Sequence, residues 1–267
     1  MTQLFYGFLL AIAVAFAAYR AHSLSYSGAL TAILIGTIIF GLGGWQWAVL
    51  LLVFFVSSSL LSRLFSNRKS KLNEKFEKGS QRDASQVLAN GGIAALFAGL
   101  HFFLPSTLWP WLAFTASLAA VNADTWATEL GVLNPKPPRL ITTHQLVERG
   151  TSGGISLGGT LSALAGAGLV AACAQLVRPV PGFLIIFIFT TLAGLLGAFL
   201  DSYLGATIQA IYTCPTCNKE TERYPVHTCG TATTLLRGFK WLNNDLVNLG
   251  CALTGALLGF AIQWMIA

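Results

Sequence analysis

Asp124 and Glu129, in VNADTWATELG, and Asp201, in GAFLDSYLGA, each lie at the end of a long apolar run. Ionisable side chains at membrane depth are costly and therefore rare, and where they occur they mark binding or reaction sites by default. These acids also sit toward the C-terminal ends of their helices, where the macrodipole is negative and anions are disfavoured. A bound cation relieves both penalties. A small set of hard oxygen ligands suits Mg²⁺, which keeps part of its water shell and is shared with substrate phosphates. A purely structural alternative stays open at this stage: a hydrogen bond between helices, or an ion pair with Arg139 or Arg237.

The segment GTSGGIS at 150–156 supplies the complementary chemistry. Read as the start of a helix near 152, it offers backbone N–H groups and a positive dipole end to an anion through Thr151, Ser152, Gly153, Gly154 and Ser156. The lysine of a Walker-type phosphate loop is missing. Close helix packing would also explain the glycines, while Arg139 and Arg149, on the loop leading to this segment, favour phosphate. Two more helix starts are polar. Gln86 and Asn90 stand in SQVLANGG, and Asn244, Asp245 and Asn248 in NNDLVN. An Asn at a helix start ordinarily caps it, but Asn248 is a turn inside. Separately, Cys214, Cys217, His227 and Cys229 form CxxC followed by HxC, a Cys₃His set of the kind that binds structural Zn²⁺. Three free thiols and an incidental histidine are the alternative.

The elements that must position these groups are membrane helices. Of 267 residues, 54% are hydrophobic and 10% charged, and mean hydropathy is +0.66, which excludes an ordinary soluble domain. Apolar runs long enough to cross a bilayer core occur at 3–20, 26–43, 46–62, 86–104, 109–130, 152–177, 183–210 and 246–266. The expected fold is all-α: one integral membrane domain over 1–267, a polytopic bundle of about eight spans. The first run has no basic flank or cleavage site and reads as a retained helix. Cys173 and Cys251 fall in apolar runs, so no disulfide framework is expected.

Charge orients the bundle. The loop at 63–85 is strongly basic and therefore cytoplasmic by the positive-inside rule. Counting spans from it puts 131–150 and the Cys/His loop at 213–240 on the same side, with the N-terminus non-cytoplasmic. Every group able to do chemistry then faces the cytoplasm. The net charge of +6 reflects this topology, and no basic stripe interleaved with aromatics points to nucleic acid. The pairs NGGI…DTW and SGGI…DSY suggest a parallel hairpin repeat relating spans 4–5 to spans 6–7.

SQVLANGG, NADTWATELG, PRLITT, GTSGGISLGGT, LDSYLGA and RGFKWLNNDLVNL, in that order, cover residues 82–250 or so. Together they resemble the multi-spanning membrane family that includes the plant and cyanobacterial phytyl-phosphate kinase of tocopherol synthesis. The resemblance implies transfer of a phosphoryl group from CTP or another nucleoside triphosphate to an isoprenoid monophosphate lipid in the bilayer, giving the diphosphate. On that scheme Asp124, Glu129, Asp201 and Asp245 hold Mg²⁺. Ser152, Gly153, Gly154, Arg139 and Arg149 hold phosphates, with Thr151 and Ser156 in the same loop, and Gln86, Asn90, Asn244 and Asn248 orient substrate. The membrane would be a prokaryotic inner or thylakoid-type one. The rival class is a carrier of a phosphorylated or anionic solute, which would place polar groups near the bilayer midplane. A prenol kinase or cytidylyltransferase-like enzyme is a chemical neighbour.

Overall fold

The computed structural model describes residues 2–65, 75–76, 78–79 and 81–266. Among these, eight long helices account for the eight expected spans: α1 (Thr2–Arg20), α2 (Tyr26–Ile38), α3 (Trp45–Leu64), α4 (Ala84–Phe103), α5 (Trp109–Gly131), α6 (Leu157–Val177), α7 (Phe183–Thr207) and α8 (Asn244–Ile266). A five-residue π turn, Ile39–Gly43, extends α2 before Gly44, at φ +98°, turns the chain into α3. Arg68, Lys69 and Lys71 of the basic loop lie outside the described residues.

Seven helices are long and apolar enough to cross a membrane. The exception, α5, is the most enclosed. Its residues 110–123 are buried without a break, because α4, α6, α7, α8 and α3 surround it. A helix with no lipid-facing stripe can carry Thr115, Ser117 and Asn122, whose polar groups would be costly against lipid. Asn122 uses its amide structurally, donating from Nδ2 to the Gly166 carbonyl at 2.8 Å and accepting from Ser57 Oγ at 3.1 Å.

Small residues let the neighbours approach this axis. A Cβ on Gly194 would stand 2.7 Å from Ala167 Cβ and 3.0 Å from the Ala119 backbone, and one on Gly197 would stand 2.6 Å from Ala120 Cβ. Gly194 and Gly197, three residues apart on α7, therefore face α5 and α6, as small-residue packing in membranes requires.

Because the helices alternate in direction, the segments at 21–25, 132–156 and 208–243 and the described residues within 65–83 all emerge at one end of the bundle. Two of them contain sheet, which the all-α expectation did not include. β1 (Arg139–Leu140) pairs antiparallel with β2 (Gly154–Ile155). The Cys/His loop folds as a three-stranded antiparallel sheet of order β4-β3-β5, from β3 (Ile211–Cys214), β4 (Lys219–Thr221) and β5 (Thr234–Arg237). The hairpins α4–α5 and α6–α7 both leave this end and return to it, each bringing a carboxylate back on its second helix.

Candidate functional site

At the polar end lies a cavity of about 490 Å³. The inner turns of α5 place Asp124 and Glu129 on its wall, α7 places Asp201, and the start of α8 places Asn244, Asp245 and Asn248. Gln86 and Asn90 of α4 line the same space, as do Arg149, Thr151, Ser152, Gly153, Gly154 and Ser156. Residues spread over more than 160 positions thus meet in one volume because the returning helices end at one level.

The acids are held in different ways. Glu129 is 7% exposed and accepts from Ser62 Oγ at 2.7 Å. Asp201 Oδ2 is buried with no hydrogen-bond partner among the described residues, and Asp124 is close enough for the two charges to interact. A buried, unfulfilled carboxylate oxygen beside a second acid is an arrangement that a cation completes. Asp245 is 6% exposed and hydrogen-bonded to the Lys78 ammonium, which puts a cation of the chain itself on one of the four acids.

Lys78 also bonds Asp83 at 3.0 Å and Ser85 Oγ at 2.7 Å. Burial lowers its pKa, but the bonds to Asp245 and Asp83 outweigh that and leave it above the ordinary lysine value. Asp83 in turn starts α4 with a capping box, accepting from Gln86 N at 3.0 Å while Gln86 Oε1 accepts from Asp83 N at 3.1 Å. The cap occupies Gln86 Oε1, so Gln86 offers the cavity its amide NH₂. In α8 the N-cap is Asn243, whose Oδ1 accepts from Leu246 N at 3.2 Å. Asn244 is thereby left to the cavity.

The glycine segment is not the first turn of a helix. Gly154–Ile155 is strand β2, and α6 begins at Leu157 behind Ser156, whose Oγ caps Gly159 N at 3.1 Å. Gly153 has φ +83° and lies against α7, where a Cβ would come within 2.6 Å of the Ala206 backbone. Strand pairing wins over helix here because the loop must cross the end of α7 before α6 can start. Ser152 Oγ donates to Gln209 Oε1 at 2.9 Å, and Gln209 Nε2 donates to Glu222 Oε1 at 2.9 Å, tying loop, α7 and sheet together.

Arg139 is not in the cavity lining. In β1 it stands opposite Ile155, and its Nη1 donates to the His144 carbonyl at 2.8 Å. Arg149 does line the cavity while also donating to the Pro135 carbonyl. Arg237 pairs with no acid among the described residues; it donates to the Gly205 carbonyl at 2.8 Å, a favourable place for a cation at the C-terminal end of α7.

The sequence reading missed Lys78, Arg82 and Glu222, all of which line the cavity. Lys78 and Arg82 were visible only as positive charge that fixed topology. Glu222 lies in the Cys/His loop, where nothing in its local sequence sets it apart from Glu220.

That loop forms a compact cluster of its own. The ligand atoms of Cys214, Cys217, His227 and Cys229 all lie within 4.8 Å of one another. Cys214 is fully buried, His227 is 3% exposed, and His227 Nε2 has no partner among the described residues. Four soft or borderline donors gathered at that spacing fit a tetrahedral Zn²⁺. Cys229 Sγ lies 3.2 Å from His227 Nδ1 and 3.5 Å from Cys214 Sγ. The same sheet holds the basic loop, since Glu222 N donates to the Lys75 carbonyl at 2.8 Å.

Fold and site together define a polytopic helical membrane protein with a polar, acid-lined cavity at one end of the bundle. The chain belongs to the DUF92 family of integral membrane proteins, whose model matches residues 9–256. It is 33% identical to protein PGR of Arabidopsis thaliana, over 92% of this chain and 91% of that protein. An uncharacterised membrane protein of Methanocaldococcus jannaschii is 31% identical over 98% of this chain and 95% of its own length. The chloroplastic protein VTE6 of Arabidopsis thaliana is 26% identical over 91% of this chain and 66% of that protein. No solved structure matches.

Proposed function

We propose that the protein is a membrane-embedded isoprenoid monophosphate kinase, transferring a phosphoryl group from CTP or another nucleoside triphosphate to a phytyl-type prenyl monophosphate. The motif resemblance supplies donor and acceptor. The observation that carries the reading is the meeting of Asp124, Glu129 and the unpartnered Asp201 oxygen with the glycine segment and Arg149 in one cavity.

Phosphoryl transfer depends mainly on positioning and charge neutralisation. An oxygen of the prenyl monophosphate attacks the γ-phosphorus, the bond from that phosphorus to the β–γ bridging oxygen breaks, and the nucleoside diphosphate leaves with the electron pair. The acceptor is already ionised, so no general base is needed. Asp124, Glu129 and Asp201 are the residues that would hold Mg²⁺, which would supply neutralisation of the phosphate charge. The loop at 150–156 orients the donor phosphates through backbone N–H groups and hydroxyls, and Arg149 neutralises their charge. Asn244 and Asn248 donate from their amides to substrate oxygens. Lys78, on Asp245, adds positive charge at the opposite wall. The face concerned is assigned to the cytoplasm, where nucleotides are found, by the excess of Lys and Arg on its loops. The Cys/His cluster is assigned a structural Zn²⁺ that fixes the sheet over the cavity.

Purified protein given phytyl phosphate and each of CTP, ATP, GTP and UTP with Mg²⁺ is expected to yield phytyl diphosphate, read by mass spectrometry. Absence of the diphosphate with all four donors would remove the reading. Uptake of a phosphorylated solute into proteoliposomes without any turnover would put a carrier in its place.

A further inference from the structure

The polar cavity shares a wall with a second, quite different space. A groove runs between α1 and α2 on one side and α3 and α4 on the other, from Gly7 and Phe40 at one end to Ala18 and Leu24 at the other. Its lining is apolar or glycine throughout except for Arg82, Gln86 and Asn90. Those three residues are the very ones that also line the polar cavity. From Gly7 to Ala18 the helical rise makes the groove about 16 Å long, roughly half the thickness of a bilayer core.

Arg82 is fixed at the junction. Its backbone pairs with the turn before α2, N donating to the Ser23 carbonyl and its carbonyl accepting from Ser25 N, both at 3.0 Å. Its guanidinium donates to Ser58 Oγ at 2.9 Å and Ser59 Oγ at 3.4 Å and lies 5.6 Å from the ring centres of Phe54 and Phe55. Among the described residues no carboxylate is within ion-pair distance of it. Two hydroxyls leave most of its five N–H donors available; Glu129 acts on it electrostatically from beyond ion-pair distance, and the spare guanidinium donors at the cavity wall favour an anion beside them. Phosphate is the anion a guanidinium binds best, through paired N–H···O bonds.

We infer that the groove of α1–α4 is the acceptor's lipid-chain site, taking a single linear apolar chain whose phosphate head rests on Arg82, Gln86 and Asn90 at the edge of the polar cavity. This rests on the kinase reading for the head's chemistry and adds the place where the acceptor's hydrocarbon chain is held. It also gives work to α1 and α2, which contribute no residue to the acid-lined wall among the described residues. The head enters from the membrane side and the nucleotide from the aqueous side, so the two phosphates meet without the chain leaving an apolar environment. A water-soluble phosphate monoester would leave the groove empty and lose the apolar contacts that hold the acceptor.

The test uses the full chain in lipid nanodiscs and a prenyl monophosphate carrying a diazirine at the far end of its chain. Photolysis is expected to label α1–α3, with label at Leu10, Phe40 or Ala48 at the end of the groove away from Arg82, and unlabelled phytyl phosphate is expected to compete it away. Val14→Trp and Ala32→Trp, which fill the groove, should raise the KM for phytyl phosphate at least about tenfold more than the KM for nucleotide. Leu161→Trp, on the lipid-facing side of α6, should change neither. Arg82→Gln should abolish competable labelling, and Arg82→Lys should restore part of it. Label spread over lipid-facing residues of all helices, or labelling indifferent to Arg82→Gln, overturns the inference. Competable labelling of α1–α3 without turnover upholds the groove while removing the kinase reading; turnover with label confined to α6–α8 does the reverse.

Discussion

The Lys78 ammonium is hydrogen-bonded to the Asp245 carboxylate, joining two residues 167 positions apart and fastening the basic loop to the start of α8. Asp245 is buried and Lys78 partly so, which puts the pair between an exposed ion pair worth little and a buried one whose disruption is costly. Lys78→Ala is expected to destabilise the protein by about 1–3 kcal/mol. The double variant Lys78→Met with Asp245→Asn should lose less than the sum of the single changes. Thermal unfolding of the detergent-purified proteins measures both; strict additivity would show that the pair is not coupled.

Asp201 should separate stability from activity. Replacing the carboxylate, whose Oδ2 has no hydrogen-bond partner among the described residues, by a neutral amide removes a buried charge, so Asp201→Asn is expected to unfold at the same temperature as the parent or higher. Turnover should fall by about 100-fold or more, the scale on which loss of transition-state charge stabilisation is felt. Equal turnover in the two proteins would take Asp201 out of the reaction.

Zinc content is expected at one equivalent per chain. Cys217→Ser should lose the metal and lower the unfolding temperature, because the sheet that receives the Lys75 carbonyl on Glu222 N is then no longer clasped. Residual turnover in the zinc-depleted protein, tested with its stability, distinguishes a strut from a catalytic centre. Well under one equivalent in protein purified without chelator would dispose of the metal.

The clasp around Lys78 predicts a pH window. Burial raises the Asp83 pKa, but bonds from Gln86 N, Lys78 and Ser85 outweigh it and hold the carboxyl below its ordinary value. A depressed acid contributes stability above its unfolded pKa of about 3.9, and that contribution disappears as pH falls through the folded value. Lys78 is raised, so its contribution is complete below about 10.4 and fades as pH rises through the folded value. Unfolding temperature should therefore be flat between these limits and fall outside them. Asp83→Ala should cost about 1 kcal/mol within the window through loss of the helix cap and flatten the acid limb.

Gly153→Ala tests the crossing of the glycine segment over α7. The added Cβ meets the Ala206 backbone at 2.6 Å, and φ is +83°, so about 1–3 kcal/mol of strain is expected. Both the unfolding temperature and turnover should drop. An unchanged unfolding temperature would mean that the loop relaxes away from α7.

Much of the scaffold was legible along the chain. A lipid-facing span must be apolar for about 20 residues, so seven of the eight runs were recoverable from composition alone, while α5 carries Asn122 and Glu129 because other helices enclose it. The acids on α5 and α7 stood out for the same reason. Less legible was the start of α6: Gly150, Gly153 and Gly154 satisfy a helix N-terminus and a tight loop equally well, and the choice was made by pairing with Arg139–Leu140 far upstream. The position of Arg139 followed from the same pairing, since the register that sets Arg139 opposite Ile155 carries its guanidinium to the His144 carbonyl.

The sequence by itself determined that this is a helical membrane protein with its acids, glycine segment and Cys/His loop at one end, because bilayer thickness and charge placement act locally along the chain. Only the tertiary structure decided that Asp245 is held by Lys78, that Asp201 keeps an unpartnered oxygen, and that Arg82 stands between an apolar groove and a polar cavity. Each of these depends on which distant segments close upon one another, and the energy of a buried charge is set by what surrounds it rather than by its neighbours in sequence. The carboxylates that mark the chain chemically were visible from the start; the cations that set their roles became visible only once the loops had folded over them.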